Sequence, residues 1–390
     1  MKMIDKTFVY ISSWDKSSDG SDHFGITGYR FDKKTGEMQL VDAVERRVLF
    51  NIACFDKNRG IVYALNEEND LPGLRGGGGG RIFAFHVDPD SGKLTELCRK
   101  ETWCPSPSYL SLDQSGKYLI VSNHGSKAAV TKIGQDAYGN YYPMVEYDDA
   151  VVELFSVTDD GRIDRLLDVV KHYGNGPEKR QTIAHPHSVV MSPSGKLFAV
   201  CDKGNDTVRM YGLDAENGKL IRPTYIYKHV PGSLPRYCVF HPEKPWFYNN
   251  NENSREFFSF CYDEDGRLDK INVCDVMCPD GEMQERILEQ QGLVMDRQGR
   301  YIYNVVRGPN IVTVLEIDQV DGSVQPVQHL KIDGMWPRGC ALSPDGKFLL
   351  VCCRDSGEVI VLAVHEDGRL SDTGKRYLQN NAAFALFCEL

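Results

Sequence analysis

The chain has 390 residues, a formal net charge of −10 and a hydrophobic content of 41%. An acidic chain with no basic stripe excludes nucleic acid and anionic membrane surfaces as expected partners. No apolar run reaches the length of a membrane span and the first residues lack the apolar core of a signal peptide, so a cytoplasmic location is expected.

Residues 8–41 (FVYISSW to GITGYRFDKKTGEM) contain apolar runs but match only the later part of a unit that recurs downstream. The unit is a tight Gly-containing turn, an apolar run, a polar loop, a second apolar run and an acidic turn with Gly. Its first turn appears as DKNRG ending at Gly60, DQSGK at Lys117, Ser192-Pro193-Ser194-Gly195, HPEKP at Pro245, DRQGR at Arg300 and SPDGK at Lys347. Pro presets φ in such turns and Gly accepts φ > 0, so each reads as a hairpin between short strands. The acidic turns are DPDSGKL, DDGRI, AENGKL, DEDGRL and HEDGRL. A period of roughly fifty residues with several strands per unit predicts propeller blades rather than a solenoid.

Several stretches interrupt the pattern. Residues 68–81 (ENDLPGLRGGGGGR) lack the Lys-Ser/Thr ending of a phosphate loop and read as a mobile flap or linker. Residues 127–149 form a Tyr-rich insertion expected to cover the mouth of the ring or pad its rim, and residues 171–184 form a second extension. One helical turn is expected over residues 281–290 (GEMQERILEQ). The terminal run NNAAFALFCEL has no repeat of its own, and pairing it with the incomplete first unit would remove two open sheet edges. The expected fold is therefore all-β: a seven-bladed β-propeller over residues 1–390, with the ring closed by pairing of N- and C-terminal segments.

Of the 12 cysteines, Cys201, Cys238, Cys261, Cys340 and Cys352 lie inside strand patterns, where a free thiol is a small buried hydrophobe. Cys274 and Cys278 are four apart with no second pair at zinc spacing. Reduced thiols are expected, with no metal and no cofactor.

Counting outward from each turn places the first residues of one strand beside the last of the next, at one end of every hairpin. The first column reads Asn51, Ser108, His187, Arg236, Gln291 and Arg338. The second reads Trp14, Glu67, His124, Lys203, Glu252, Arg307 and Arg354. In a closed ring both columns gather at one mouth of the central channel. The turn end carries the usual solvated turn set, Ser, Pro, Asp, Gly and Lys foremost. Polar groups converging from separate blades suit a small-molecule site, although Arg–Glu pairs at a ring mouth can also serve only to tie blades together.

HPHS at 185–188, LPRYCVFHP at 234–242, NEN at 251–253, VVRGPN at 305–310 and WPRGCALSPDGKFLLV at 336–351 resemble the lactonase family of seven-bladed propellers. That family includes 6-phosphogluconolactonases and carboxy-muconate cycloisomerases, and the resemblance spans the chain. It implies a site made of His187, Arg236, Glu252 and Arg307, all four already in the two columns. Tyr237, Val306 and His124 depart from the family pattern. With Glu67, His124, Asp202, Gln291 and Arg338 as substrate-binding residues, the expected reaction is hydrolysis of an anionic or polyhydroxylated lactone by water. The arginines would hold the oxyanion or an anionic substituent. Glu252 or His187 is expected to take the proton from water, the favoured order being Glu252 as base with His187 protonating the leaving ring oxygen, and the sequence does not order the two. Lactonisation of an unsaturated di- or tricarboxylate and a non-catalytic scaffold are the alternatives, and the chain is expected to be a monomer or weak homo-oligomer.

Overall fold

The computed structural model describes residues 6–14, 24–46, 50–70, 77–126, 128–277 and 288–390. Seven four-stranded antiparallel sheets and one two-stranded hairpin contain all the strands, and no helix occurs among the described residues. The inner strands of blades one to seven are Ala382–Glu389, Phe50–Asp56, Pro107–Leu112, Pro186–Met191, Pro235–Phe240, Glu289–Met295 and Pro337–Leu342. Each inner strand touches the next, and that of blade seven touches Ala382–Glu389, so the ring closes. Closure runs through blade one, where Thr7–Ser13 pairs antiparallel with Ala382–Glu389, from Thr7 opposite Glu389 to Ser13 opposite Ala382. The predicted pairing of the chain ends is thus present.

Burial explains the strand patterns. The second strands Ile61–Asn66, Leu197–Asp202, Trp246–Asn251 and Phe348–Cys353 are buried at every residue, which is why they open as continuous apolar runs rather than alternations, the first three ending on buried Asn or Asp. The outermost strands, such as Lys219–Lys228, alternate toward solvent. No single core exists. Instead, seven apolar clusters each straddle one junction between neighbouring blades.

The acidic Gly turns have a packing role that repeats around the ring. Tyr10 donates to the carbonyl of Gly92 (2.7 Å), Tyr63 to Gly161 (2.8 Å), Tyr248 to Gly322 (3.1 Å) and Tyr303 to Gly368 (3.2 Å), each from one blade to the next. At Gly161 and Gly368 φ is 83° and 75°, and a Cβ would press on Ile61 and on the Tyr301 ring. Positive φ and close approach together require glycine there.

The extensions are placed as follows. The Tyr-rich insertion forms a hairpin of its own, Ala129–Gln135 with Tyr141–Tyr147, rooted at the mouth end of blade three. In the glycine run, residues 71–76 lie outside the described residues. Its end is packed rather than mobile: a Cβ on Gly79 would meet the Cys104 backbone, and one on Gly80 would meet Pro107. The helical turn expected over 281–290 lies outside the described residues up to 287, and Glu289 and Gln290 already belong to an inner strand.

Candidate active site

Strand pairing breaks register near the start of every inner strand. Pairing steps from Pro186 to Ser188, from Pro235 to Tyr237, from Pro337 to Gly339 and from Pro107 to Tyr109. In blades two, six and one it steps from Phe50 to Ala53, from Gln290 to Leu293 and from Ala382 to Phe384. The residues stepped over are His187, Arg236, Arg338 and Ser108, then Asn51 with Ile52, Gln291 with Gly292, and Ala383. These include the whole first column. A β-bulge re-aims the side chain of its extra residue, so one local device, used in every blade, presents these groups together.

A continuous set of polar contacts runs around the mouth. Glu252 accepts from Arg180 (2.8 Å) and Lys203 (3.1 Å) and is ion-paired with Arg236. Arg180 also reaches Glu289 (2.7 Å), which pairs with Arg307 (3.0 Å). Arg307 and Arg354 lie over the Trp336 ring at 5.1 and 5.3 Å, and Arg354 and Arg338 over Trp14 at 5.6 and 4.3 Å. Arg338 donates to Asn51 (2.8 Å) and faces Glu67 at 3.7 Å. Glu67 in turn accepts from Trp14 (2.7 Å) and lies 3.3 Å from His124. His124 stacks on His185 at 3.8 Å, with His187 at 6.1 Å. Tyr237 meets His187 edge-on at 5.2 Å and rests against Tyr109 at 5.8 Å, forming an aromatic floor under the site.

Burial and neighbouring charge set the protonation states. Burial alone would raise the Glu252 carboxyl, but Lys203, Arg236, Arg180 and Arg307 hold it well below the usual carboxylate range. Burial pushes the His187 imidazole well below its ordinary value, and Arg236, Lys203, His124 and Arg338 reinforce the shift, so His187 is neutral at physiological pH. Burial opposes charge on Arg236 as well, yet Glu252 beside it raises its pKa. Arg307 is pulled down to about 9 by burial and by Arg236 and Arg338, and it remains a cation at neutral pH.

Several buried polar atoms at this mouth have no hydrogen-bond partner among the described residues: Nε of Arg236, Nε and Nη2 of Arg307, Nδ1 of His187 and both amide atoms of Gln291. Buried polar groups are normally satisfied. Three guanidinium donors left open beside a neutral imidazole form a surface suited to an anion or a developing oxyanion.

Eight of the nine expected residues therefore lie at the mouth: His187, Arg236, Glu252, Arg307, Glu67, His124, Gln291 and Arg338. Asp202 does not, and its expected substrate role is corrected. Its carboxylate is fully buried, 2.7 Å from His172, and accepts from the backbone N–H groups of His185 (2.6 Å) and Gly204 (3.1 Å). It fixes the strand that carries His187 instead of facing the channel. Arg180 and Glu289 were not anticipated. Arg180 comes from the 171–184 extension, where Gln181 pins the loop through the Lys203 carbonyl (2.9 Å); a cation five residues before HPHS was the available signal. Glu289 precedes its bulge by two residues, outside both columns. A separate cavity of about 420 Å³ includes Tyr109, Leu293, Met295, Leu342, Phe384 and Leu386 in its lining, toward the turn end of the channel, and contains none of the expected residues.

Neutral burial of histidine predicts acid sensitivity. Burial lowers the pKa of His124, His172, His187 and His229, the last to about 3. The unfolded chain takes up these protons near pH 6.5 and the folded chain refuses them. Stability is therefore intact above about pH 6.5 and falls below it, by up to about 1.4 kcal/mol per pH unit for each group. Urea midpoints should hold between pH 8 and 7 and drop between about 6.5 and 5; a midpoint that held in the lower window would contradict neutral burial.

Residues 8–387 match the family described as lactonase, 7-bladed beta-propeller. The chain is 25% identical over 322 residues to a 6-phosphogluconolactonase of Bacillus subtilis (strain 168), covering 81% of this chain and 80% of that protein. It is 24% identical over 381 residues to a 6-phosphogluconolactonase of Formosa agariphila, covering 96% and 98%. Among solved structures, the periplasmic gluconolactonase of Pseudomonas aeruginosa superposes with a TM-score of 0.83 at 24% identity over 98% of this chain and 99% of that one, a likeness of fold.

Proposed function

The chain belongs to the lactonase family of seven-bladed β-propellers, and from that membership we propose that its bulge-lined mouth hydrolyses a sugar lactone such as 6-phosphogluconolactone or a related aldonolactone. The observation that carries the reading is the set of open, buried guanidinium donors on Arg236 and Arg307 beside the neutral His187. The names of the curated relatives point the same way.

Water attacks the lactone carbonyl. A carbon–oxygen bond forms to water, and the carbonyl oxygen gains the negative charge that the arginine donors receive. His187, uncharged and not committed to an ion pair, takes the proton from water. The tetrahedral centre then collapses, the ring carbon–oxygen bond breaks, and the same proton passes to the leaving ring oxygen. Nothing is consumed beyond water. This reverses the order expected from sequence. Both oxygens of Glu252 are engaged by cations, Oε1 by Arg180 and Oε2 by Lys203 and Arg236, whereas Nδ1 of His187 is open, so Glu252 serves to fix Arg236. No group of three or more His, Cys, Asp or Glu among the described residues is placed to hold a metal, and acid–base chemistry with cationic charge stabilisation is the mechanism proposed.

A panel of sugar lactones and unsaturated di- and tricarboxylates, assayed with and without EDTA, tests the proposal. Lactones should open faster than in buffer, equally so with chelator present. Turnover of only the unsaturated acids would make the protein a lactonising enzyme, and activity lost on chelation would overturn the metal-independent route.

A further inference from the structure

We infer that the 129–147 hairpin is a self-association element, and that two copies of this chain pair by stacking the same apolar face of their hairpins. Strand register defines the face. Ala129 lies opposite Tyr147, Thr131 opposite Val145, Ile133 opposite Pro143 and Gln135 opposite Tyr141, and cross-strand partners share one side of a sheet. The side so formed carries no charged residue. Lys132 and Glu146 pair on the other side, with Val130, Met144 and Tyr142.

The apolar side is open to solvent. Ile133 is 82% exposed, Tyr141 75%, Val145 56% and Tyr147 40%. The hairpin is a sheet of two strands only, and neither strand packs substantially on any other strand among the described residues. An isolated two-stranded hairpin is at best marginal in water, and a contiguous apolar patch of this size on a soluble protein marks an interaction surface.

A second copy fits the face better than an unlike partner, for two reasons. The first is shape. With strand Ala129–Gln135 of one copy over strand Tyr141–Tyr147 of the other, Ala129 meets the partner's Tyr147, Thr131 the partner's Val145, Ile133 the partner's Pro143 and Gln135 the partner's Tyr141, so each of the two tyrosine rings faces a smaller residue and the middle levels pair β-branched side chains with Val or Pro. A two-fold axis along the strands repeats the match, as an isologous interface requires. The second reason is area. Side chains of this size expose roughly 400–500 Å² per copy, so a pair buries about 1,000 Å², the lower limit for a specific interface. The face is uncharged while the chain carries a net charge of −10, so contact is confined to the patch and association is weak.

Sedimentation velocity on the full chain from about 1 to about 300 µM tests this, because a small, uncharged interface at the lower limit of specific area is expected to be weak and transient. The wild type should shift from monomer to dimer across the range. Ile133→Glu with Val145→Glu should remain monomeric with unchanged catalytic rate, and Val130→Glu, on the charged side, should dimerise like wild type. A wild type that stays monomeric throughout overturns the inference, which is the outcome expected if the face closes on its own mouth or awaits a different protein. Dimerisation surviving in the double variant, or lost equally in Val130→Glu, also overturns it.

Discussion

Arg236→Ala should lower kcat for lactone opening by roughly 10²–10³, the usual cost of removing one donor from a developing oxyanion. Arg236 is buried at a bulge, is locked to Glu252 and keeps its Nε open toward the mouth. Deleting one member of a buried ion pair ordinarily strands the other at a cost of about 3–5 kcal/mol. Here Glu252 retains Lys203 and Arg180, so the fold should survive and a melting curve can confirm it. The split between constants is diagnostic. If Arg236 stabilises the oxyanion, kcat and kcat/KM fall together; if it only clamps an anionic substituent, KM rises and kcat holds. Arg236→Lys should not restore the rate, because an ammonium cannot keep the contact to Glu252 and present a second donor in the guanidinium plane.

His187→Ala should cost roughly 10²–10⁴ in kcat as the proton acceptor is lost. Added imidazole should return part of that rate by filling the space above Tyr237 with a free base. The pH dependence of rescue separates this assignment from one in which Glu252 is the base and His187 the acid: rescue by neutral imidazole as base rises with pH, whereas rescue by imidazolium as acid falls. The pH profile tests the burial of His187. With the imidazole held well below its ordinary value by burial and by Arg236, wild-type kcat/KM should stay level from pH 8 to below 6.5. An acid limb at the ordinary histidine position would show that His187 is solvated and that the aromatic floor does not enclose it.

The ring was legible because its signals are local. SPSGKLFAV and SPDGKFLLV each specify a turn and a fully buried strand, and an unmatched terminal run leaves few partners except the incomplete first unit. The site was legible for a related reason: residues at the ends of hairpins converge in any closed ring, so His187, Arg236, Glu252 and Arg307 needed only the correct turn spacing. What escaped does not follow from periodicity. Pro107, Pro186, Pro235 and Pro337 directly precede the bulged residues of four blades, a cue consistent with a bulge, but the other three blades lack it and strand alternation alone does not give the register shift. Arg180 arrives on an insertion whose path is set by Gln181 and not by a repeat. Asp202 was misplaced because its neighbour Lys203 faces the mouth, whereas its own carboxylate caps backbone N–H groups and contacts His172 between strands.

The most direct measurement is a crystal structure soaked with the open-chain sugar acid. The product carboxylate should sit at the mouth, within hydrogen-bonding distance of Arg236 Nε and Arg307 Nη2 and over Tyr237 beside His187. Density for the acid in the cavity at the turn end, which Lys57 and Arg297 also line, with those guanidinium groups unengaged, would contradict the assignment of the site.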